Sequence, residues 1–215
     1  MKKLKSSLTN MVIVLTGVTA IATGILAYVN KLTAEPIKNA NAETLKAAIK
    51  EVVPEFDNNP AEAPEEIKLE EVNYKIYKAM KGGEFVGAAV ESTTNGFGGP
   101  LTVLVGFDKE GNIINYSILS TSETPGLGSK AAFWFQKDGK GSIVGLNPGK
   151  EALKVSKDGG QVDAITASTI TSRAFLIAVN NAYAAYNGQN IDSTSGATQL
   201  VEEASAANDS INQAN

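Results

Sequence analysis

Hydrophobic and polar positions divide the chain into stretches of different character. Met11 to Val29 is an uncharged, largely apolar run of 19 residues, long enough for a tilted helix across the hydrocarbon core of a bilayer. Further on, Ile37, Leu45, Ile49, Val52 and Val53 recur near helical spacing. Pro36 suits the first turn of that second helix and Pro54 ends it at about Val53. An acidic stretch rich in Pro, Ala and Asn then reads as loop to about Glu66. Four segments, 72–80, 85–93, 101–107 and 113–121, read as strands, with turn chemistry at Lys81-Gly82-Gly83 and Asp108-Lys109-Glu110-Gly111. Short turns between successive strands favour antiparallel pairing. The expected class is α+β: a single N-terminal transmembrane helix, then a domain with an antiparallel meander and flanking helices.

Residues 126–149 are richer in glycine, and Ala131, Phe133, Trp134 and Phe135 make an apolar cluster of one or two helical turns. The last periodic element carries Ile170, Ala174, Phe175, Ala178, Val179, Ala182, Tyr183 and Tyr186 at spacings of three and four, with Asn187-Gly188 as a stop. Residues 189–215 are polar and alanine-rich and are expected to form a loosely docked or partly disordered tail. The resulting division is 1–30 (cytoplasmic tail and anchor), 31–71 (juxtamembrane helix and acidic loop), 72–188 (main domain) and 189–215 (tail).

Charge adds an orientation. Lys2, Lys3 and Lys5 precede the apolar run, and no further charge appears until Lys31. Such a head also suits a cleaved signal peptide, but an apolar region of that kind usually spans only about 7–15 residues, so the length favours an uncleaved anchor. Lysines before the span predict a cytoplasmic N-terminus and a domain on the outer face of the inner membrane. Three of the 19 basic residues lie in the first thirty, leaving 16 against all 23 acidic ones, a formal −7 for the remainder. An acidic domain is a poor partner for nucleic acid. Histidine and cysteine are both absent, which excludes catalytic triads, cysteine nucleophiles, disulfides, a lipidated cysteine and most transition-metal sites.

The chemistry left open concentrates in Asp163-Ala164-Ile165-Thr166-Ala167-Ser168-Thr169-Ile170-Thr171-Ser172-Arg173. Helical periodicity puts Thr169 at or just before a helix N-terminus, where a threonine can serve as a plain N-cap. The same position would also place an anion among unpaired backbone N–H groups at the positive end of the helix dipole. Thr171 and Ser172 offer hydroxyl donors there, and Arg173, the only arginine of the chain, offers a fixed charge.

Two more strings accompany this one, Gly96-Phe97-Gly98-Gly99-Pro100 and Glu123-Thr124-Pro125-Gly126-Leu127-Gly128. In order and spacing the three resemble the covalent FMN-binding domain family, most closely the G subunits of Rnf ion-translocating electron-transport complexes. The C subunits of sodium-pumping NADH:quinone reductases are the near relatives. The resemblance implies FMN esterified through its phosphate to Thr169, attached by a flavin transferase. It also implies a role as an electron relay between ferredoxin and NAD, beside membrane-embedded partner proteins of the Rnf complex. It assigns cofactor contacts to Asp163, Thr166, Ala167, Ser168, Ile170, Thr171, Arg173, Gly98, Gly99, Glu123, Thr124, Pro125, Gly126, Leu127, Gly128 and Lys130. Asp163 would orient the acceptor hydroxyl or the attaching enzyme's metal; Trp134 or Phe133 could cover a ring face, although a single aromatic cluster of this kind is more often part of the core. The family's usual Ser/Thr-Gly-Ala-Thr stands here as Thr166-Ala167-Ser168-Thr169, while the usual form occurs at Thr194-Ser195-Gly196-Ala197-Thr198, with no apolar helix behind it. Thr169 is therefore the expected main acceptor and Thr198 a minor one. The other class of reading is a membrane-tethered, non-redox binding module.

Overall fold

The computed structural model describes residues 8–69 and 72–188, so residues 189–215, with Thr198, lie outside the described residues. The chain divides into two compact units between Thr44 and Leu45. Helix α1 runs unbroken from Leu8 to Val52. It is long and apolar enough to cross a membrane, and its apolar side chains Met11, Ile13, Leu15, Ile21 and Leu26 are all exposed. Pro36 lies inside it and does not open a second helix as expected. A proline removes one N–H from the ladder, but the flanking Ala34-Glu35 and Ile37-Lys38 continue the helix, and no glycine or capping signal stops the chain before it.

In the second unit five antiparallel strands lie side by side in chain order: β1 (Glu65–Leu69), β2 (Val72–Lys81), β3 (Glu84–Asn95), β4 (Pro100–Asp108) and β5 (Ile113–Thr121). The expected meander is β2–β5. Strand β1 corrects the reading of residues 31–71 as helix and loop alone. It is a charged edge strand, Glu65-Glu66-Ile67-Lys68-Leu69, with only Ile67 and Leu69 packed against the core. Charges on an edge strand discourage pairing with other chains and at the same time hide the strand from a hydrophobic pattern.

Both faces of the sheet are covered. The last turns of α1 bury Ala48, Ile49 and Val52 against Tyr77, Ala79, Ala89 and Leu104. On the opposite face Tyr74, Ile76, Ala88, Val90, Leu101, Val103, Val105 and Phe107 meet helix α3 (Thr169–Asn187). Alternation in β2 and β3 sends neighbouring residues to opposite layers, and the nearly continuous apolar run of β4 marks a strand buried on both sides. Helix α3 contributes Phe175, Leu176, Ala178, Val179 and Ala182 and ends at Gly188, in the left-handed conformation at φ 67°. A short helix α2 (Ala131–Trp134) follows the Gly128–Lys130 turn. The Tyr116 hydroxyl donates to the Ala131 carbonyl at 2.5 Å and accepts from the Phe135 N–H at 3.3 Å. Burial pushes that phenol well above its ordinary pKa.

Phe175 stacks on Phe135 at 4.3 Å between ring centroids and meets Tyr116 edge-on at 4.7 Å. Phe175→Ala should destabilise the domain by about 3–5 kcal/mol, because a void of that size forfeits both ring contacts. Urea unfolding of the full chain in detergent, followed by tyrosine and tryptophan fluorescence, checks it.

Candidate functional site

Three segments meet at one end of the sheet. Between β3 and β4 the chain turns through Gly96-Phe97-Gly98-Gly99, closed by the Gly96 N–H donating to the Gly99 carbonyl at 2.9 Å. Beside it β5 ends at Thr121, and the Ser122 N–H donates to the Pro100 carbonyl at 3.3 Å. The N-terminus of α3 is brought alongside by Thr94 near the end of β3, whose buried hydroxyl donates to the Ala174 carbonyl at 3.0 Å.

Glu123 joins the first two segments. The residue is 7 % exposed, and its Oε1 accepts the Phe97 N–H at 2.7 Å. Pro125-Gly126 then makes a tight turn, with the Leu127 N–H donating to the Thr124 carbonyl at 3.1 Å and Gly126 at φ 77°, as a type II turn requires. Gly128 lets the loop close on α3. A Cβ placed there would stand 2.5 Å from Glu123 Oε2 and 2.7 Å from Thr171 Oγ1, with no room for it.

The α3 end is shaped by its own first turn and the loop before it. Ser172, fully buried, donates its hydroxyl to the Ser168 carbonyl at 3.0 Å and accepts the Ile165 N–H at 2.9 Å. Ser168 is the N-cap residue, yet its side chain makes no capping hydrogen bond. Thr169 is therefore the first helical residue and not the cap. The leading N–H groups of α3, normally satisfied by such a cap, remain available to an anion. Ala167 sits at φ 62°, the only non-glycine residue with positive φ among the described residues. Holding alanine there costs roughly 1–2 kcal/mol.

These segments enclose a cleft of about 260 Å³ lined by Glu123, Thr124, Leu127, Gly128, Ala167, Ser168, Thr169, Ile170, Thr171 and Phe97. All but Phe97 were expected from sequence as contacts. The volume lies below the roughly 300–1,000 Å³ of pockets that enclose a whole small molecule. It suits part of a cofactor, with the remainder against the exposed Phe97 and Leu127 at the mouth.

Other expected contacts stand apart from this lining. Gly98 and Gly99 shape the β3–β4 turn, and Pro125 and Gly126 shape the turn before Leu127. Lys130 ends the short turn ahead of α2. Thr166 is exposed one residue before Ala167. Asp163 takes the Ser156 hydroxyl on its Oδ1 at 2.8 Å, and its carbonyl accepts the Trp134 indole N–H at 2.8 Å. Trp134 is thereby committed to the 163 loop, and neither it nor Phe133 lines the cleft.

Arg173 departs most from expectation. It is buried, and its Nε donates to Asp158 Oδ2 at 2.7 Å while its Nη2 pairs with Asp158 Oδ1. Four residues past Thr169 it points into the domain, because the pairing carboxylate arrives from the loop beneath the helix. Removing either partner of such a buried pair costs roughly 3–5 kcal/mol. The cation nearest the acceptor among the described residues is one that sequence reading missed: Lys157 Nζ stands 3.5 Å from Thr169 Oγ1. Lys157-Asp158-Gly159-Gly160 is recognisable turn chemistry, but nothing in it reveals what the turn folds against.

The loops and the helix start that line this cleft all fall within one flavin-binding domain. Residues 96–184 match the FMN-binding domain family, a span that opens at Gly96 and contains every cleft residue. The chain is 36 % identical to the G subunit of the ion-translocating oxidoreductase complex of Yersinia pestis, over 75 % of this chain and 81 % of that protein. It is 34 % identical to the G subunit of the same complex from Cereibacter sphaeroides, over 70 % of this chain and 71 % of the relative. To the G subunit of the Na(+)-translocating ferredoxin:NAD(+) oxidoreductase complex of Acetobacterium woodii it is 34 % identical, over 79 % and 86 % respectively. The chain belongs to the G-subunit family of ion-translocating (Rnf) oxidoreductase complexes.

Two substitutions probe the geometry. Ala167→Gly should stabilise the domain by about 0.5–1 kcal/mol, the relief of left-handed strain outweighing the added freedom of the unfolded chain; chemical denaturation measures it. Gly128→Ala should leave the domain folded but push the Glu123 loop off α3, lowering flavin content per chain several-fold by absorbance at 450 nm.

Proposed function

We propose that this chain is the flavin-carrying electron relay of an Rnf-type complex, with FMN joined through its phosphate to Thr169 Oγ1. Family membership supports the flavin and the redox role. The covalent site rests on one observation: Thr169 opens α3 inside the cleft while the N-cap side chain leaves the first N–H groups unclaimed.

Formation of that ester is a group transfer. The Thr169 oxygen bonds to the FMN phosphorus of a flavin dinucleotide as the phosphoanhydride bond to the leaving nucleotide breaks. The hydroxyl proton passes to a base of the flavin transferase. When bound, the flavin supplies the reversible electron-accepting chemistry that the protein's own side chains lack.

The chain's residues supply binding and position. N–H groups at the start of α3 would face the phosphate oxygens. The Glu123-to-Gly128 loop, stiffened by the Pro125-Gly126 turn, would hold the neighbouring part of the cofactor. Helix α1 would tether the domain beside membrane-embedded partners, with the N-terminus in the cytoplasm and the domain on the outer face, following the lysines before Met11. Electrons would pass along a path between ferredoxin and NAD, the couple in the Acetobacterium woodii relative's name.

Thr169→Val is nearly isosteric and deletes only the acceptor hydroxyl. In cells that flavinylate the wild type, it should abolish the fluorescent flavin band on a denaturing gel while the domain stays folded. Thr198→Val should keep that band close to wild type. Flavin lost at Thr198→Val and retained at Thr169→Val would refute the assignment.

A further inference from the structure

The residues around Lys157 form a more rigid mount than a surface lysine usually has. Lys157 lies in a single turn, Ser156–Asp158. On one side the Ser156 N–H donates to the Val162 carbonyl at 2.8 Å, and the Ser156 hydroxyl holds both that carbonyl and Asp163 Oδ1. On the other, the Asp158 N–H and the Gly160 N–H both donate to the Val155 carbonyl, at 2.9 and 3.1 Å. Val155 and Val162 pair across the loop's neck, both fully buried. The buried ion pair to Arg173 then fastens the turn to α3 one helical turn below Thr169. Backbone position is thus set on both sides of Lys157, and its ammonium reaches Thr169 Oγ1 at 3.5 Å.

We infer that Lys157 is the cationic partner of the phosphate group bound at Thr169, and that the Arg173–Asp158 pair is its positioning device. This rests on the reading of Thr169 as the phosphate-bearing residue. An ammonium held there faces the same oxygens as the α3 N–H groups, and its charge opposes that of a phosphate monoester or diester. Arg173 contributes at one remove: its charge is consumed by Asp158, whose attachment to α3 carries Lys157 to the rim.

The test uses the full chain in detergent, produced unloaded in a host without flavin transferase, and compares FMN with riboflavin, which lacks the phosphate. Binding is followed by quenching of flavin fluorescence. Lys157→Met should weaken FMN binding about fivefold or more and leave riboflavin binding unchanged. Lys157→Arg should restore most of the FMN affinity, and Asp158→Asn should weaken FMN selectively, by less than Lys157→Met. Unchanged FMN affinity in Lys157→Met overturns the inference. So does an equal loss for FMN and riboflavin, which would make Lys157 structural. If the wild type and its Thr169→Val variant both bind FMN no better than riboflavin, the Thr169 reading itself has failed, a result distinct from either of those.

Discussion

The site depends on burial of α3 against the sheet. One face of this helix carries Phe175, Leu176, Ala178, Val179 and Ala182 into the main core, with Phe175 wedged between Phe135 and Tyr116. Each large apolar side chain so buried contributes roughly 1.5–3 kcal/mol. That energy fixes the helix axis and leaves its N-terminus at the sheet end where two glycine-bearing loops emerge. Thr94 adds a buried hydrogen bond to the Ala174 carbonyl, so the helix can neither slide nor turn without breaking it. A threonine at the first helical position is then presented to a cleft whose other wall belongs to the sheet.

Polar groups at the site divide into those that hold the scaffold and those left for a ligand. Ser172, Asp163, Trp134 and Arg173 all spend their hydrogen-bonding capacity on the 155–168 segment. Thr169, the leading N–H groups of α3 and the Lys157 ammonium face outward. This is the arrangement expected where a cofactor is held rigidly: the outer ring of contacts is satisfied within the protein, which keeps the inner ring in place before anything binds. The strain at Ala167 fits the same logic, since the Ser172 hydrogen bonds over-determine the loop that carries it.

An electron relay needs its cofactor fixed more than it needs reactive side chains. The absence of histidine and cysteine is therefore compatible with the role. The partly open cleft leaves Phe97, Leu127 and Phe133 exposed around its mouth or on the adjoining short helix, whereas a substrate-converting enzyme would tend to enclose its reactants.

The long apolar run, the meander of β2 to β5 and the amphipathic α3 were legible in the sequence, because periodicity and turn residues act over a few positions and need no distant partner. The loops that line the cleft were legible as well, since glycine, proline and small residues advertise tight turns locally. Strand β1 and the continuity of α1 through Pro36 were not. An edge strand has only one packed face, and one missing N–H does not oblige a helix to end. The roles of the two cations were decided only in three dimensions. Arg173 is near Thr169 in sequence, but its charge is taken by a carboxylate fifteen residues upstream. Lys157 is twelve residues from Thr169 and arrives beside it through that very pairing. Which partner a charge finds depends on where the whole chain packs, and local sequence carries no record of that.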